Sequence, residues 1–277
     1  MMTIHTASLP AHEGRGQDRW AAVTNGLIVL DGASSFTPAV INAERFVDEL
    51  IADLSQRLPA DQESLCVILG RSINAVASKL QLKPGHSPSS TVLILRKSSE
   101  NIDLLLLGDS TALVKTTYHD EPHRITDTRL AAVAPEYHDK YRSRLRTGSG
   151  YDNTHRALLR SLQEEQLAAR NTPGGYWIAE ADPSAAEHAI VQSFPIDTVE
   201  WCILATDGAQ RPVDHLGIPW ERIAEMTDDQ LAEQLQELQE WESRNDPSGA
   251  LLPRAKVHDD KLIAVWKPCR VTHRQRP

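Results

Sequence analysis

The sequence predicts an α+β protein whose antiparallel strands are covered by long helices. The first observation behind this prediction is that apolar runs rich in branched side chains follow one another with short turns between them, which favours antiparallel pairing. The second is that two long stretches repeat apolar residues at the spacing of one helix face, as helices that cover a sheet do. With 277 residues, of which 40% are apolar and 24% charged, the chain is long enough for one well-covered core.

The N-terminal part is predicted to contain three strands and then two amphipathic helices. The predicted strands are 3–8, 19–24 and 27–30. Because the third strand follows the second almost at once, the first thirty residues are expected to form antiparallel strands. Thr37 and Pro38 are predicted to supply the N-cap and first-turn proline of the first helix. Asp61 is predicted to cap the second helix, whose apolar face runs over 65–80.

The remainder of the chain is predicted to hold further strands and helices on either side of an irregular insertion. The predicted strands are 90–96, 102–107, 112–117, 189–194, 199–205 and 262–266, and the predicted helices are 220–226 and 228–242. Between about 119 and 186 charges are dense and glycines cluster, with helical character only at 154–169, so this insertion is predicted to be a mobile flap. We expect one domain over 1–266 and a basic C-terminal tail over 267–277.

Charge and cysteine content argue against several classes of function. A net charge of −9 and a pI near 5.7 provide no positive field for a polyanion, so nucleic acid is not an expected partner. The three cysteines, Cys66, Cys202 and Cys269, include no CxxC pair, and the first two lie in apolar runs, which indicates reduced thiols. No apolar stretch reaches the ~18 residues that span a bilayer, and the N-terminus lacks a charged segment followed by an apolar one. We therefore expect a cytoplasmic protein without a membrane partner.

Acidic residues stand at the ends of several predicted strands. Asp31, Asp109 and Asp207 each follow an apolar run, Asp18 precedes the second strand, and Asp259 precedes the last one. An aspartate beside a glycine after a strand is commonly a turn, so each of these residues taken alone can be a turn residue. Several acidic strand ends in one domain favour a single shared site instead.

Carboxylates gathered at one site need cations to remain ionised. Oxygen ligands select a hard cation such as Mg²⁺ or Mn²⁺, whereas the histidines show no spacing typical of zinc. Two such ions about 4 Å apart activate a water for attack on a phosphoryl group, which predicts phosphoester hydrolysis. No P-loop, GxSxG elbow or complete dinucleotide-binding motif is present in the sequence. His258 beside Asp259 is consistent with a base or with a loop residue.

The order of the acidic motifs resembles that of the metal-dependent protein phosphatases, the type 2C serine/threonine phosphatase family. That family carries short motifs in a fixed order along the chain, and six of them occur in the same order here over 17–260. They are Gln17-Asp18-Arg19, Asp31-Gly32, Ser90-Thr91, Gly108-Asp109-Ser110, Thr206-Asp207-Gly208 and Asp259-Asp260. Each motif is only two or three residues long, so their common order carries the resemblance.

The resemblance implies a four-layer α-β-β-α sandwich of two antiparallel sheets flanked by helices. It implies that Asp31, Asp207 and Asp259 are catalytic, with Asp31 bridging two Mg²⁺ or Mn²⁺ ions and the Gly32 carbonyl binding one of them. The other implied ligands are Asp207 and Asp259 for the first ion, Asp18 through water for the second, and Asp109 for a third, weaker one. The implied reaction is hydrolysis of phosphoserine or phosphothreonine in a protein by a water that bridges two ions, with a serine/threonine kinase as the implied paired partner.

Several positions around the expected site depart from the family pattern. Ser34 and Ser35 replace glycines, Ala33 stands where some eukaryotic members have a histidine proposed as general acid, and Thr111 replaces an arginine. The phosphate-binding arginine has no aligned match, and Arg15 is the nearest candidate. These departures leave an alternative to the phosphatase, a non-catalytic module of the same fold that binds a phosphorylated or regulatory partner. A two-metal nuclease would need a positive groove, which the net charge disfavours.

Overall fold

The molecule is built on two five-stranded antiparallel sheets, as the resemblance implies. The computed structural model describes residues 2–33, 41–60 and 63–268. In spatial order, the first sheet contains β1 (Met2–Leu9), β10 (Lys261–Pro268), β9 (Val199–Ala205), β6 (Thr111–Thr116) and β7 (His123–Thr126). The second contains β2 (Arg19–Val23), β3 (Gly26–Gly32), β4 (Ser90–Lys97), β5 (Asn101–Leu107) and β8 (Ile190–Pro195).

Helices cover the outer faces of both sheets. The helices of the described residues are α1 (Ala43–Ala60), α2 (Leu65–Leu80), α3 (Pro135–Arg146), α4 (Asn153–Ala169), α5 (Asp207–His215), α6 (Trp220–Ala224) and α7 (Asp228–Arg244). The apolar faces of α1 and α2 pack against the second sheet, and those of α5, α6 and α7 pack against the first. The predicted four-layer sandwich is therefore confirmed.

The core between the two sheets explains why the central strands are continuous apolar runs. In β3, Leu27 and Val29 face the first sheet, whereas Ile28 and Leu30 face α1 and α2, and all four side chains are fully buried. A strand covered on both faces needs apolar residues at every position, because neither face meets water. The run ends at Asp31, so the carboxylate is delivered at the edge of this core.

The three N-terminal strands pair antiparallel, as predicted, but they are divided between the two sheets. β1 pairs with β10 in the first sheet, whereas β2 and β3 lie in the second, so the three N-terminal strands do not form one sheet. The pairing joins the two ends of the described chain, with Met2 opposite Pro268. Lys267 and Pro268, expected in the tail, consequently belong to β10, and the Lys267 ammonium forms an ion pair with Glu225 at 2.7 Å.

Three elements were not predicted, β7, α3 and α5. In α3 only Tyr141 and Leu145 are buried, so its sequence carries no apolar stripe wide enough to indicate a helix. Helix α5 begins at Asp207, within the Thr206-Asp207-Gly208 motif, and contains Pro212. An aspartate followed by a glycine and a nearby proline is more typical of a turn than of a helix. The helix-start prediction at Thr37 and Pro38 lies outside the described residues.

The second helix begins later than predicted. Its N-cap is Ser64, whose hydroxyl accepts a hydrogen bond from the Val67 amide at 3.4 Å. Asp61, the predicted cap, lies outside the described residues. Of the cysteines that the structure describes, Cys202 is buried and Cys66 is only half-buried, and both are free thiols.

The insertion between β6 and β8 contains more regular secondary structure than the sequence indicated. Helices α3 and α4 pack together around Tyr141, Leu145, Leu159 and Leu162, a small apolar cluster of their own. The buried His155 of α4 lies with its Nε2 2.9 Å from the Ala255 carbonyl oxygen, which ties this helix pair to the loop before β10. The insertion thus reaches the segment that carries Asp259, while its mobility stays a prediction. No helix among residues 2–33, 41–60 and 63–268 is long and apolar enough to cross a membrane.

Candidate metal centre

The five aspartates singled out in the sequence come from strand ends of both sheets. Asp31 is the penultimate residue of β3, and Asp18 lies directly before the neighbouring strand β2. The other three, Asp109, Asp207 and Asp259, flank β6, β9 and β10, whose pairing registers bring the start of β6, the end of β9 and the start of β10 to one end of the first sheet. The two sheets thus deliver all five side chains to the same end of the sandwich.

Burial and neighbouring carboxylate charges raise the pKa of Asp18, Asp31, Asp109 and Asp259. Burial raises the pKa of Asp31 well above its ordinary value, and the charges of Asp18, Asp207, Asp259 and Asp109 raise it further. Burial likewise raises the pKa of Asp18, with a smaller opposing effect from the Thr206 hydroxyl. Such a cluster favours the binding of protons or cations, because five neighbouring anions, of which Asp18 is buried and the others are partly exposed, repel one another.

Within the part of the chain that the structure describes, one carboxylate oxygen of Asp18 has no protein partner. The residue is 7% exposed, its Oδ2 accepts a hydrogen bond from the Thr206 hydroxyl at 2.8 Å, and its buried Oδ1 accepts none from the described residues. A buried, unsatisfied acceptor costs on the order of 1–3 kcal/mol. A hard cation satisfies such an oxygen, so the donor set of this cluster, which is entirely oxygen, fits Mg²⁺ or Mn²⁺.

Thr206 connects Asp18 to the first sheet. The residue is the N-cap of α5, yet its hydroxyl makes no cap bond. Instead the hydroxyl donates to Asp18 and accepts a hydrogen bond from the Leu262 amide of β10 at 3.0 Å. One threonine therefore fixes the carboxylate of the N-terminal segment relative to β9 and β10, a role that sequence reasoning missed.

Asp260 differs in role from its neighbour Asp259. Its carboxylate accepts hydrogen bonds from the backbone amides of Ala11, at 2.7 Å, and Gln17. A Cβ at Gly16 would lie within 3.0 Å of the same carboxylate, so only glycine fits there. Asp260 thus holds the loop that carries Asp18, and the sequence alone could not separate this structural aspartate from the candidate ligand beside it.

The Ser90-Thr91 motif supports two of the aspartate segments. The Ser90 hydroxyl donates to the Asp31 carbonyl at 2.9 Å, and the Thr91 hydroxyl lies 2.6 Å from that of Ser110. Gly108 adopts φ +89°, and a Cβ there would approach Thr91 Cγ2 to 2.8 Å. The glycine before Asp109 is therefore needed both for its backbone conformation and for close packing.

Two cationic side chains pair with candidate ligands. Arg211 of α5 lies with a guanidinium nitrogen 3.2 Å from Asp207 Oδ2, and Lys256 lies with its Nζ 2.8 Å from Asp259 Oδ1. Within the described ranges, no three His, Cys, Asp or Glu side chains are arranged as they stand to hold one ion. The sequence signal for the Asp207–Arg211 pair is the four-residue spacing of opposite charges, which places them together on a helix, whereas the loop pair of Lys256 and Asp259 has no such signal.

The structure places Arg15 on the surface of the loop before Asp18. Its side chain is 73% exposed, and its guanidinium lies 3.6 Å from the carboxylate of Asp48 in α1. The neighbouring Arg19 binds the same carboxylate more closely, at 2.6 Å, and donates to the carbonyl of Gly16. Arg15 is thus the less constrained of the two arginines, and its contact with a substrate phosphate stays a prediction.

A buried ionic network holds the segment that precedes β10. Glu242 of α7, 2% exposed, accepts hydrogen bonds from the fully buried Lys261 ammonium at 2.9 Å and from His258 Nδ1 at 2.8 Å. The same ammonium donates to the carbonyl of Asp259 at 3.1 Å. The other ring nitrogen of His258 lies 3.1 Å from the Ser243 hydroxyl, so this histidine acts as a loop anchor rather than the base considered from the sequence.

The carboxylate cluster predicts a pH dependence of the stability of the metal-free protein. Burial and the charge of Asp207 raise the pKa of Asp109 from its ordinary 3.8 to about 6, against the opposing charge of Arg211. The folded state therefore holds this proton more tightly than the unfolded state does, and the resulting stabilisation is complete below pH 3.8 and lost as the pH rises through about 6. Two pKa units correspond to roughly 3 kcal/mol at most.

Urea unfolding in chelator, followed from pH 5 to 7.5, measures this effect. The free energy of unfolding should fall with increasing pH in the wild type and fall less in Asp109→Asn, which has no proton to lose. Equal slopes for the two proteins would contradict the assignment.

Comparison with known proteins identifies the fold. The sequence matches no protein-family model and no curated protein. Among solved structures, the chain is similar to the serine/threonine phosphatase Stp1 from Staphylococcus aureus, with 13% identity over 97% of this chain and 95% of that one and a TM-score of 0.58. It is also similar to PppA, described as a key regulatory component of T6SS in Pseudomonas aeruginosa, with 13% identity over 96% and 97% of the two chains and a TM-score of 0.55.

A further similar structure contains metal. The catalytic domain of the serine/threonine protein phosphatase PstP, in complex with two manganese ions, shares 16% identity over 96% of this chain and 97% of that one, with a TM-score of 0.51. At these identities the comparisons establish the fold of the chain. This protein therefore has the fold of the type 2C serine/threonine phosphatases. The fold that the motif resemblance implies is thus confirmed.

Proposed function

We propose that this protein is a Mg²⁺- or Mn²⁺-dependent phosphatase that hydrolyses phosphoserine and phosphothreonine in proteins. The observation that carries the proposal is the buried Asp18 carboxylate, whose Oδ1 has no hydrogen-bond partner among the residues that the structure describes and lies within an aspartate cluster. The fold, shared with a phosphatase solved with two manganese ions, supports the same reaction. Together they favour a divalent metal centre over a set of unrelated turns.

The proposal assigns each aspartate a place around the metal ions. Asp31 would bridge two ions, with the Gly32 carbonyl beside it. The other ligands would be Asp207 and Asp259 at the first ion, Asp18 through water at the second, and Asp109 at a third. Bound ions would supply a water of lowered pKa and would neutralise charge on the phosphoryl oxygens. On this assignment Asp31, Asp207 and Asp259 are the catalytic residues.

The surrounding residues hold these ligands in place. Ser90 fixes the Asp31 peptide, Thr206 fixes Asp18, and Asp260 fixes the loop that leads to Asp18 through backbone amides. Arg15 is proposed to bind the substrate phosphate, because its exposed side chain stands on that same loop. The proposed partners are a phosphorylated protein and the kinase that phosphorylates it, and the free thiols Cys66 and Cys202 support action in the cytoplasm.

Phosphate release from p-nitrophenyl phosphate and from a phosphothreonine peptide tests the proposal. Mn²⁺ or Mg²⁺ is titrated from zero into chelator-treated protein, and we expect saturable turnover that excess chelator abolishes. Metal binding in calorimetry without turnover of either substrate would favour the non-catalytic module instead. The observation behind that alternative is that Arg211 and Lys256 already pair with two of the proposed ligands.

A further inference from the structure

Two of the proposed metal ligands are paired with cations of the chain itself. Arg211 contacts Asp207 at 3.2 Å from the following turn of α5, and Lys256 contacts Asp259 at 2.8 Å from the loop before β10. The two pairs come from different elements, yet both lie within the same carboxylate cluster. Each carboxylate oxygen that faces an ammonium or guanidinium group is withheld from a metal ion while the pair persists.

The cluster explains why such cations are needed when metal is absent. Five neighbouring carboxylates repel one another, and hydrogen bonds from the described residues do not satisfy all of their oxygens, since Asp18 Oδ1 accepts none from them. The two cations reduce the local negative charge at Asp207 and Asp259. In the same structure, no three acidic side chains of the described residues are placed to hold one ion together.

We propose that Arg211 and Lys256 are internal counter-ions, which hold Asp207 and Asp259 in the metal-free protein and release them when metal binds. The inference rests on the proposed metal-dependent function. Release requires little rearrangement, because the side chains of Arg211 and Lys256 are 39% and 41% exposed and their flexible stems can carry the charged groups into water. Metal binding is then an exchange of cations, in which the affinity for metal is lowered by the two positive charges.

Metal binding by variants that lack one counter-ion tests the exchange. Titration calorimetry of Mn²⁺ into chelator-treated wild type, Lys256→Met and Arg211→Met should give dissociation constants about three- to tenfold lower in each variant than in the wild type. Lys267→Met is the control for the lysine, because Lys267 pairs with Glu225 outside the cluster. Arg244→Met is the control for the arginine, because it pairs with Glu240 at the same four-residue spacing. Both controls should bind Mn²⁺ as the wild type does.

Thermal unfolding supplies a second readout that does not depend on activity. In chelator, Lys256→Met and Arg211→Met should have a lower Tm than the wild type, since each leaves a carboxylate unpaired. In saturating Mn²⁺ the upward shift of Tm should be larger in these variants than in the wild type and the controls. Lys256→Gln and Arg211→Gln, which keep a polar group without the charge, serve where a methionine variant does not fold.

The outcomes separate this inference from the proposed function. Wild-type protein that binds no Mn²⁺ would overturn the metal centre and the exchange with it. If the wild type binds Mn²⁺ but Lys256→Met and Arg211→Met bind it with unchanged or weaker affinity, the exchange alone is overturned. The phosphatase proposal then stays intact. Tighter binding in the cluster variants, with unchanged binding in the controls, supports the exchange.

Discussion

Replacing Asp207 by asparagine should abolish metal-dependent turnover while preserving the fold. Asp207 opens α5 beside Asp109 and Asp259, and as a proposed ligand of the first ion it supplies a charge that an amide lacks. Loss of a metal ligand and of the charge that holds the ion predicts a fall in kcat/KM of about 100-fold or more. Phosphate release from p-nitrophenyl phosphate in saturating Mn²⁺ measures the effect.

The stability of Asp207→Asn distinguishes loss of chemistry from loss of structure. The substitution removes one charge from a crowded cluster, which stabilises the metal-free fold, and breaks the ion pair with the partly exposed Arg211, which is worth at most about 1 kcal/mol. The free energy of unfolding in chelator should therefore be unchanged or higher. Asp103→Asn is the control, because Asp103 pairs with Arg96 on the second sheet and should leave turnover unchanged. Wild-type turnover by Asp207→Asn would remove Asp207 from the catalytic set.

The fold could be predicted because its central strands are covered on both faces. The side chains of Leu27 to Leu30 alternate between the core that lies between the two sheets and the core that lies under α1 and α2. The run therefore contains no polar residue before Asp31, and it can be recognised from a single sequence. The pairing of β1 with β10 could not be predicted in this way, because its register is fixed by contacts between the two ends of the described chain. Helix α3 was missed for a related reason, since its two buried residues contact α4 rather than the main core.

The candidate site was predicted as a set of carboxylates, with the Gly32 carbonyl as a further ligand and Arg15 as the phosphate-binding residue. Each aspartate that ends a strand could be found from the apolar run before it or after it, and the order of the motifs indicated a shared site. The residues that hold these carboxylates in position could not be found in this way. Thr206 bonds to Asp18 across most of the chain length, and Asp260 contacts Ala11, so their roles depend on tertiary contacts with no local pattern.

The glycine of the Thr206-Asp207-Gly208 motif is required by packing rather than by a turn. Gly208 lies in the first turn of α5, where a Cβ would come within 2.0 Å of the Asp260 carbonyl oxygen and 3.0 Å of Asp259 Cβ. Helix α5 therefore approaches the start of β10 as closely as two backbones allow. This contact sets the distance between the segment with Asp207 and the segment with Asp259.

Replacing Gly208 by alanine should consequently destabilise the protein, although alanine in place of glycine ordinarily stabilises a helix by about 1 kcal/mol. The methyl group would push a backbone carbonyl aside, and overpacking of this kind costs about 3 kcal/mol. Because the displaced segment carries Asp259 and Asp260, metal-dependent turnover should fall together with stability. Urea unfolding and phosphate release on the same preparations measure both effects.

Gly70 provides the matched control for this substitution. It also lies inside a helix, α2, but its Cβ would stand 3.3 Å from the Pro183 carbonyl, so a movement of a few tenths of an ångström accommodates the methyl group. Gly70→Ala should therefore change the free energy of unfolding by less than about 1 kcal/mol and leave turnover unaffected. If Gly208→Ala were as stable and as active as Gly70→Ala, close contact between α5 and the start of β10 could not be what fixes Asp207 relative to Asp259.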